Sequence, residues 1–487
     1  MKGLECTEVE ARHVFAQTET KRFDPEYFQR QHLVDERTVA SAGSRFKTFA
    51  DFGLRIDASA FYPAIEDYYG SGNLPFLRVA DVDTVIDFEE CTRIPAELCQ
   101  RFPTLSRVQP GDIVFTKGGS VARVGLVTEQ AAVSRDLISL NSSMPAEQDR
   151  LFLFVYFQTS FFNRVLLRSS SQTSRPHLTI TPVRNLPLFE GTAELKTRCA
   201  ALVKESYRHR ATALEERNRA ETVLFRRLGL ENWEPPRELT YVRRLSEVLA
   251  WKRMDAEFFS PSYEALLDVL RREGAVRLGD VLREPVRRGI SPVYCEDGDV
   301  PVINSQHVGK TELILKDNRT TRLEVIHSKL SVGRTGLVRH GDVLLNSTGR
   351  ITIGRCQSVL DEITAVADNH ISIIRLQAEL DAVFLACFLN TMPGLMQTER
   401  SYTGSSGQIE LRPELVEDYL IWAPAEQVQL AIRTHMERAH AARVKSRLLL
   451  DRAREAVELA IEATDAAAVQ LLAAVESGYA QYVHRKP

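Results

Sequence analysis

The sequence predicts an α+β chain: two tandem β-rich domains, each followed by a long helix, with the two helices pairing as an antiparallel coiled coil. Three observations predict it. The first is internal repetition. Arg22-Phe23-Asp24-Pro25-Glu26-Tyr27-Phe28 returns as Arg253-Met254-Asp255-Ala256-Glu257-Phe258-Phe259. Pro110-Gly111-Asp112-Ile113-Val114-Phe115 returns as His340-Gly341-Asp342-Val343-Leu344-Leu345. Ala132-Val133 with Ile138-Ser139-Leu140 returns as Ala365-Val366 with Ile371-Ser372-Ile373. The offset is about 230 residues each time, too long for a solenoid unit and fitting a duplicated whole domain. The second observation is a series of short apolar or alternating runs in each half, broken by turn residues, as in a compact mixed sheet. The third is a change of texture after each series, to proline-free stretches rich in Glu, Arg, Ala and Leu.

In the first half, strands are predicted at 75–79, 111–116, 124–127 and 138–140. A helix follows near 152–167, then a loop over 169–175 and a return segment over 178–189. The second half predicts a helix over 252–272, with Phe258, Leu266, Leu267 and Leu270 on its apolar face. Its strands fall at 300–304, 341–346, 351–354 and 371–376, and a short helix over 384–390. The loop Gly404-Ser405-Ser406-Gly407 and a return segment over 409–422 close the repeat. Residues 193–230 form the first long helix, about 55 Å at the usual rise per residue. The second, over 425–476, carries Val428, Ile432, Met436 and Ala439, then Leu449, Ala453, Ala456, Ala460 and Ala463, as a narrow stripe suited to helix pairing. Glu231-Asn232-Trp233-Glu234-Pro235-Pro236 is linker chemistry. The boundaries predicted are therefore a first domain over 1–190, a helix over 191–230, a linker over 231–250, a second domain over 251–424, and a second helix with tail over 425–487.

At 487 residues the chain exceeds a single core of roughly 100–200 residues. Its 44% hydrophobic and 26% charged residues are those of an ordinary globular protein. The longest apolar runs, 151–157 and 382–389, fall short of the ~20 residues that span a bilayer. The opening residues lack a signal-peptide core. A cytoplasmic location with no membrane partner is the expectation. Seven scattered cysteines, with no CxxC pair, exclude a zinc ribbon on spacing and argue for reduced thiols. Net charge is −3, so a nucleic-acid partner would have to be held by local patches.

Catalytic signatures fail one by one. Gly309-Lys310-Thr311 imitates the end of a phosphate-binding loop, but that motif needs glycine where Asn304 stands. The Asn/Asp-Pro-Pro-aromatic tetrapeptide of amino-methyltransferases is missing, and so is a glycine-rich strand-to-helix turn for a nucleotide cofactor. The eleven histidines form no HxxxH or HExxH pair. Asp112 and Asp342 recur at matched positions, yet each follows glycine before an apolar strand, where aspartate fixes a turn through its own backbone. The chain reads as a recognition protein rather than an enzyme, with no cofactor and no metal.

Equivalent places in the two halves are locally basic. Arg322, Lys329, Arg334, Arg339, Arg350 and Arg355 face only Glu324 and Asp342 over their stretch. Arg101, Arg107, Lys117, Arg123 and Arg135 face Asp112 and Glu129. Neutralising phosphates in this way positions a protein on DNA. The loops 169–177 and 402–408 add the amide, hydroxyl and guanidinium groups that read base edges.

This architecture resembles the DNA-specificity subunit of type I restriction–modification systems. The matching residues are the head motif Arg253–Phe259, then Gly341-Asp342-Val343-Leu344 with Gly349 and Gly354. Ala365-Val366-Ala367-Asp368-Asn369-His370-Ile371, and residues 404–408 running into Leu411, Leu415 and Trp422-Ala423-Pro424, complete the set. The first repeat matches more loosely, through Gly111, Asp112, Gly119, Gly125 and residues 178–189. It departs where it reads Val133-Ser134-Arg135-Asp136-Leu137-Ile138 and the second repeat has the Asp368-Asn369-His370 triplet, and where Thr173-Ser174-Arg175-Pro176-His177 replaces the Gly-Ser-Ser-Gly-Gln loop.

The resemblance implies a non-catalytic subunit with two target-recognition domains reading a bipartite double-stranded DNA target. The helices would set the spacer between half-sites. They would also dock methyltransferase (modification) subunits, joined by a motor–nuclease (restriction) subunit. The expected DNA contacts are Lys117, Arg123, Gln172, Arg175 and His177 in the first domain. In the second they are Asn304, Gln306, Asn346, Arg350, Asn369, His370, Tyr402, Ser406 and Gln408. Asn304 and Gln306 are chosen because Arg78 and Ala80 stand at their places in the first repeat. Arg208, Arg217, Arg443 and Arg452 are expected on exposed, docking faces of the helices. Two rivals remain: an adaptor of the same fold serving another defence complex, and an enzyme with an unrecognised active site.

Overall fold

The computed structural model describes residues 6–16, 22–118, 122–141, 146–170, 178–315, 318–324, 336–404 and 409–483. Two compact units divide the chain: Met1–Arg208 with Lys445–Pro487, and His209–Val444.

The first unit contains β1 (Phe46–Lys47), β2 (Ile56–Asp57), β3 (Leu74–Leu77), β4 (Arg93–Ile94), β5 (Arg107–Val108), β6 (Ile113–Thr116), β7 (Val124–Leu126), β8 (Ala131–Val133), β9 (Leu137–Leu140) and β10 (Leu188–Phe189). They assemble as β2-β9-β6-β7, β4-β3-β8-β5 and the ribbon β1-β10. Phe76 and Leu77 of β3 pair in parallel with Ala132 and Val133 of β8, whereas β6 and β9 run antiparallel. β6, β8 and β9 are buried at every residue, which is why they read as apolar runs rather than alternating ones. The Gly111-Asp112 turn enters β6 as expected: the Asp112 carboxylate accepts the Gln109 N–H at 2.7 Å.

Among the helices here are α1 (Arg30–Ala42), α2 (Glu147–Tyr156) and α3 (Ser160–Arg168). The single helix expected near 152–167 is thus two. Thr159 caps the second, its Oγ1 accepting the Phe162 N–H at 3.2 Å, and so forces the break. The long helix α4 spans Ala193–Leu228.

The second unit repeats the topology. Its strands are β11 (Val276–Arg277), β12 (Leu282–Arg288), β13 (Val300–Ile303), β14 (Thr320–Thr321), β15 (Leu337–Val338), β16 (Val343–Asn346), β17 (Cys356–Ser358), β18 (Ala365–Ala367), β19 (Ile371–Leu376) and β20 (Leu420–Ile421). The orders are β12-β19-β16-β17, β14-β13-β18-β15 and β11-β20, strand for strand those of the first unit. The parallel pair recurs too, with Ile303 opposite Ala367. The duplication legible in the sequence is a duplication of fold.

Two elements differ from expectation. Residues 351–354 form a turn, not a strand: Thr352 and Ile353 N–H both donate to the Gly349 carbonyl, and Gly349 and Gly354 hold φ of 89° and 84°. The helix predicted from 252 starts only at Pro261, as α5 (Pro261–Arg272), because proline suits a first helical position and has no N–H to continue a preceding turn. Helix α6 (Ala382–Asn390) packs on β17, α7 (Met392–Ser401) packs on α6, and α8 spans Glu426–Glu462. A final helix, α9, covers Asp465–Val483.

The helices pair antiparallel within each unit. In the first, Leu195, Cys199, Ala200 and Val203 of α4 share a core with Leu449, Ala453, Ala456 and Ala460 of α8. Ser206 Oγ, fully buried, donates to the Ser446 carbonyl at 2.9 Å. In the second, Ala213 packs with Ala439 and Ala442, and Glu216 meets His435 Nδ1 at 2.7 Å. Alanines at the seam let the two backbones approach closely. Ala463 falls outside this stripe: it is exposed, and α8 has already ended. Thr464 caps the next turn, and Ala468 and Leu472 of α9 return to the first unit's core. No helix among the described residues is long and apolar enough to cross a membrane.

Candidate nucleic-acid interface

In the second unit three strands end together. The Asp368 N–H donates to the Ile303 carbonyl at 2.9 Å, so the chain leaves the parallel strands β13 and β18 side by side. After β13, Asn304 folds a tight turn. Its backbone N–H donates to His307 Nδ1 at 3.0 Å, and its Oδ1 accepts the Gln306 N–H at 2.9 Å. Gln306 is thereby presented to solvent. After β18, the Asp368 carboxylate accepts the His370 N–H at 2.9 Å, leaving Asn369 and His370 exposed. Burial pushes the Asp368 carboxyl above the usual range, and the His370 N–H pulls it back in part.

The exit from β16 joins them. The Ser347 N–H donates to the His370 carbonyl at 2.9 Å, and Thr348 Oγ1 meets His370 Nδ1 at 2.8 Å. Residues 403 and 409–411 are laid against this edge: Thr403 and Glu410 exchange backbone hydrogen bonds at 2.8 Å, and the Leu411 N–H donates to the Ser347 carbonyl at 2.8 Å. Arg288 holds Glu410 at 2.5 Å and the Leu411 carbonyl at 2.9 Å. Arg350 projects from the turn beside them, exposed and unpaired among the described residues. Tyr402 is half-buried at the rim. Gln306, Arg350, Asn369 and His370 are thus gathered on one exposed strand-end surface.

Asn346 does not belong to that surface. It is fully buried, and its Nδ2 donates to the Ser305 and Val308 carbonyls, each at 3.0 Å. Its amide is a strut that fastens the 304–308 turn to β16, so this expected contact is corrected to a supporting residue. One arginine of the basic stretch is also spent internally, Arg322 pairing with Asp297, and the stretch's Asp342 is gripped by Arg375 at 2.8 and 3.1 Å. Ser406 and Gln408 lie outside the described residues, as do Gln172, Arg175 and His177.

The first unit reproduces the scaffold. The Ser134 N–H donates to Leu77 O at 2.9 Å, the Lys117 N–H to Asp136 O at 2.8 Å, and the Thr116 N–H to Arg123 O at 3.0 Å. These correspond to Asp368 to Ile303, Ser347 to His370 and Asn346 to Arg355. Arg78 therefore stands where Asn304 does, Lys117 where Ser347 does, Arg123 where Arg355 does, and Arg135-Asp136 where Asn369-His370 does. Arg78 is partly spent on Asp81, at 3.1 Å. Arg123 and Arg135 are exposed, and Lys117 is half-buried. Sequence reasoning did not select Arg135 as a contact. The sequence match pairs Val133 with Val366, whereas the strand registers pair Val133 with Ala367, and that one-residue shift puts Arg135 at the place of Asn369.

The helix faces hold a further correction. Arg443 is only 6% exposed and donates to Thr311 O at 2.5 Å. Arg217 is held by Glu221 at 2.9 Å. Arg208 and Arg452 do face solvent, at 75% and 41% side-chain exposure. Among the described residues, no group of three or more His, Cys, Asp or Glu side chains could hold a metal ion.

No family model matches this chain, and no curated protein matches it. Solved structures similar to it are S subunits of type I restriction–modification systems. The S subunit from M. genitalium is 12% identical with a TM-score of 0.36, covering 88% of this chain and 95% of that one. The HsdS subunit from Thermoanaerobacter tengcongensis is 15% identical with a TM-score of 0.25, covering 85% and 97%. The type IIG restriction endonuclease BpuSI is 9% identical with a TM-score of 0.31 over 36% of this chain and 28% of that one. With the two S subunits the likeness spans most of the chain without close superposition.

Proposed function

We propose that this chain is a non-catalytic DNA-specificity subunit of a type I restriction–modification complex. Residues 1–190 and 251–424 each read one half of a bipartite double-stranded target. The helices set the spacer and dock methyltransferase subunits, to which a motor–nuclease subunit is added. One observation carries this reading: the same strand-end scaffold is built twice, with the side chains on it changed. Arg78, Lys117, Arg135 and Asp136 in one copy stand where Asn304, Ser347, Asn369 and His370 stand in the other. Two readers of different half-sites must differ at such positions. Arginine pairs bidentately with guanine and asparagine with adenine, so these exchanges alter base preference while the backbone frame is kept.

The test is selection from a randomised duplex library by the full chain, followed by sequencing. Two short conserved blocks at a fixed spacing are expected. A single unbroken block, or no enrichment above bulk DNA, contradicts the reading.

A further inference from the structure

The head motif of each repeat has no part in the strand-end surface, yet it is the best-preserved part of the duplication. In the second unit, Arg253 holds Asp255 through both carboxylate oxygens, at 2.8 and 2.5 Å. The same guanidinium donates to the Ser401 carbonyl at 3.1 Å and the Tyr402 carbonyl at 3.3 Å, where α7 ends. Its face lies 4.5 Å from the centre of the Phe258 ring. Arg400 covers the same ring at 4.3 Å, donates to the Phe258 carbonyl and pairs with Glu264 at 3.0 Å.

The first unit repeats every piece. Arg22 holds Asp24 at 2.7 and 2.6 Å and donates to the Arg168 and Ser170 carbonyls at 3.0 and 2.7 Å, where α3 ends. Tyr27 lies between Arg22 and Arg168, at 4.9 and 4.1 Å, and Arg168 pairs with Glu36 at 3.1 Å. A lone arginine near a helix C-terminus is a common cap. Two arginines at one aromatic ring, each tied to its own carboxylate, one capping the helix end and the other in that helix's last turn, form a built clamp. It occurs twice.

What the clamp holds is the back of the candidate interface. Tyr402, whose carbonyl Arg253 takes, leads directly to Thr403, which pairs with Glu410, which in turn bridges Thr348 beside His370. In the first unit the clamped carbonyls of Arg168 and Ser170 likewise stand at the end of α3. We infer that Arg22 and Arg253 are positioning residues for DNA reading, each fixing the strand-end surface of its own domain. This inference rests on the DNA-reading function proposed above. Lysine cannot replace either, since a point ammonium cannot bridge a carboxylate and two carbonyls at once as the planar fork does.

The test is the same duplex selection with the full chain carrying Arg253→Lys. Enrichment of the second domain's half-site should fall about tenfold, the value of one misplaced base contact, while the first half-site keeps its preference. Arg22→Lys should do the reverse, and serves if the other variant fails to fold. Equal loss at both half-sites signals general unfolding and overturns a positioning role. If Arg253→Lys leaves both half-sites intact while Arg350→Ala relaxes the second, the clamp inference falls and the DNA reading stands. If Arg350→Ala is silent as well, the DNA lies on another face and both fall.

Discussion

Replacing Asn346 separates a strut from a reader. Its side-chain amide makes two hydrogen bonds to the Ser305 and Val308 carbonyls in a fully buried site. Asn346→Ala removes both and leaves two buried carbonyls without a donor, a loss of about 1–3 kcal/mol. For a unit of this size, about 2 kcal/mol lowers the melting midpoint by roughly 4–8 °C. Asn346→Asp is nearly isosteric and still expected to be worse at neutral pH. A carboxylate there faces two carbonyl oxygens with nothing to donate, and desolvation raises its pKa above the unfolded value. The sign of the pH dependence follows. The Asp variant keeps its stability below the unfolded pKa of about 4, where the protonated acid can still donate one hydrogen bond, and loses it as pH rises through the raised folded value. Thermal unfolding of both variants from pH 4 to pH 8 measures this. An Asp variant as stable as wild type at neutral pH would refute the strut. So would an Ala variant of unchanged midpoint that relaxes one half-site.

The exposed helix positions predict that Arg208→Glu with Arg452→Glu weakens assembly with modification subunits, read by light scattering, more than it weakens DNA binding by the chain itself; the reverse result would take docking off these faces. Arg443→Glu, by contrast, should destabilise the second unit, because its guanidinium is buried against Thr311 O, and a normal melting midpoint would contradict that. The clamp aspartates predict a separate pH response: the Arg22 guanidinium holds Asp24, and Arg253 holds Asp255, below the ordinary carboxylate range. Their stabilisation is therefore present above about pH 4 and lost as pH falls through the lowered values, so hydrogen exchange at the ends of α3 and α7, corrected for intrinsic rate, should rise only under acid conditions.

The duplication was legible because the buried strands keep their apolar runs in the same order at similar offsets, and Gly111-Asp112 and Gly341-Asp342 mark the same turn. The long helices were legible from periodicity, and the seam alanines are buried as the stripe predicts, except Ala463 beyond the end of α8. What the chain alone concealed was decided by distant partners. Asn346 follows three apolar residues at a strand end, where an amide looks available. Its fate is set by carbonyls of residues 305 and 308, some forty positions earlier. Arg443 lies on a helix flank that periodicity leaves open, until residue 311 covers it. Arg135 became visible as a candidate only once β8 was paired with β3, which places its backbone at the position of Asn369. Residues 351–354 looked like a strand because the two left-handed glycines that bracket them leave no mark in an apolar pattern.

The central claim is that each domain reads its own half of the target through its strand ends. Arg350→Ala and Arg135→Ala, compared with wild type in one duplex selection at fixed salt, test it most directly. The account predicts two independent outcomes: Arg350→Ala relaxes one half-site, Arg135→Ala relaxes the other, and the spacer stays constant in both. A base contact is worth about 1–3 kcal/mol of discrimination, so each relaxed position should lose roughly five- to hundredfold preference. Uniform weakening across all sequences, or loss of the same half-site in both variants, would contradict it.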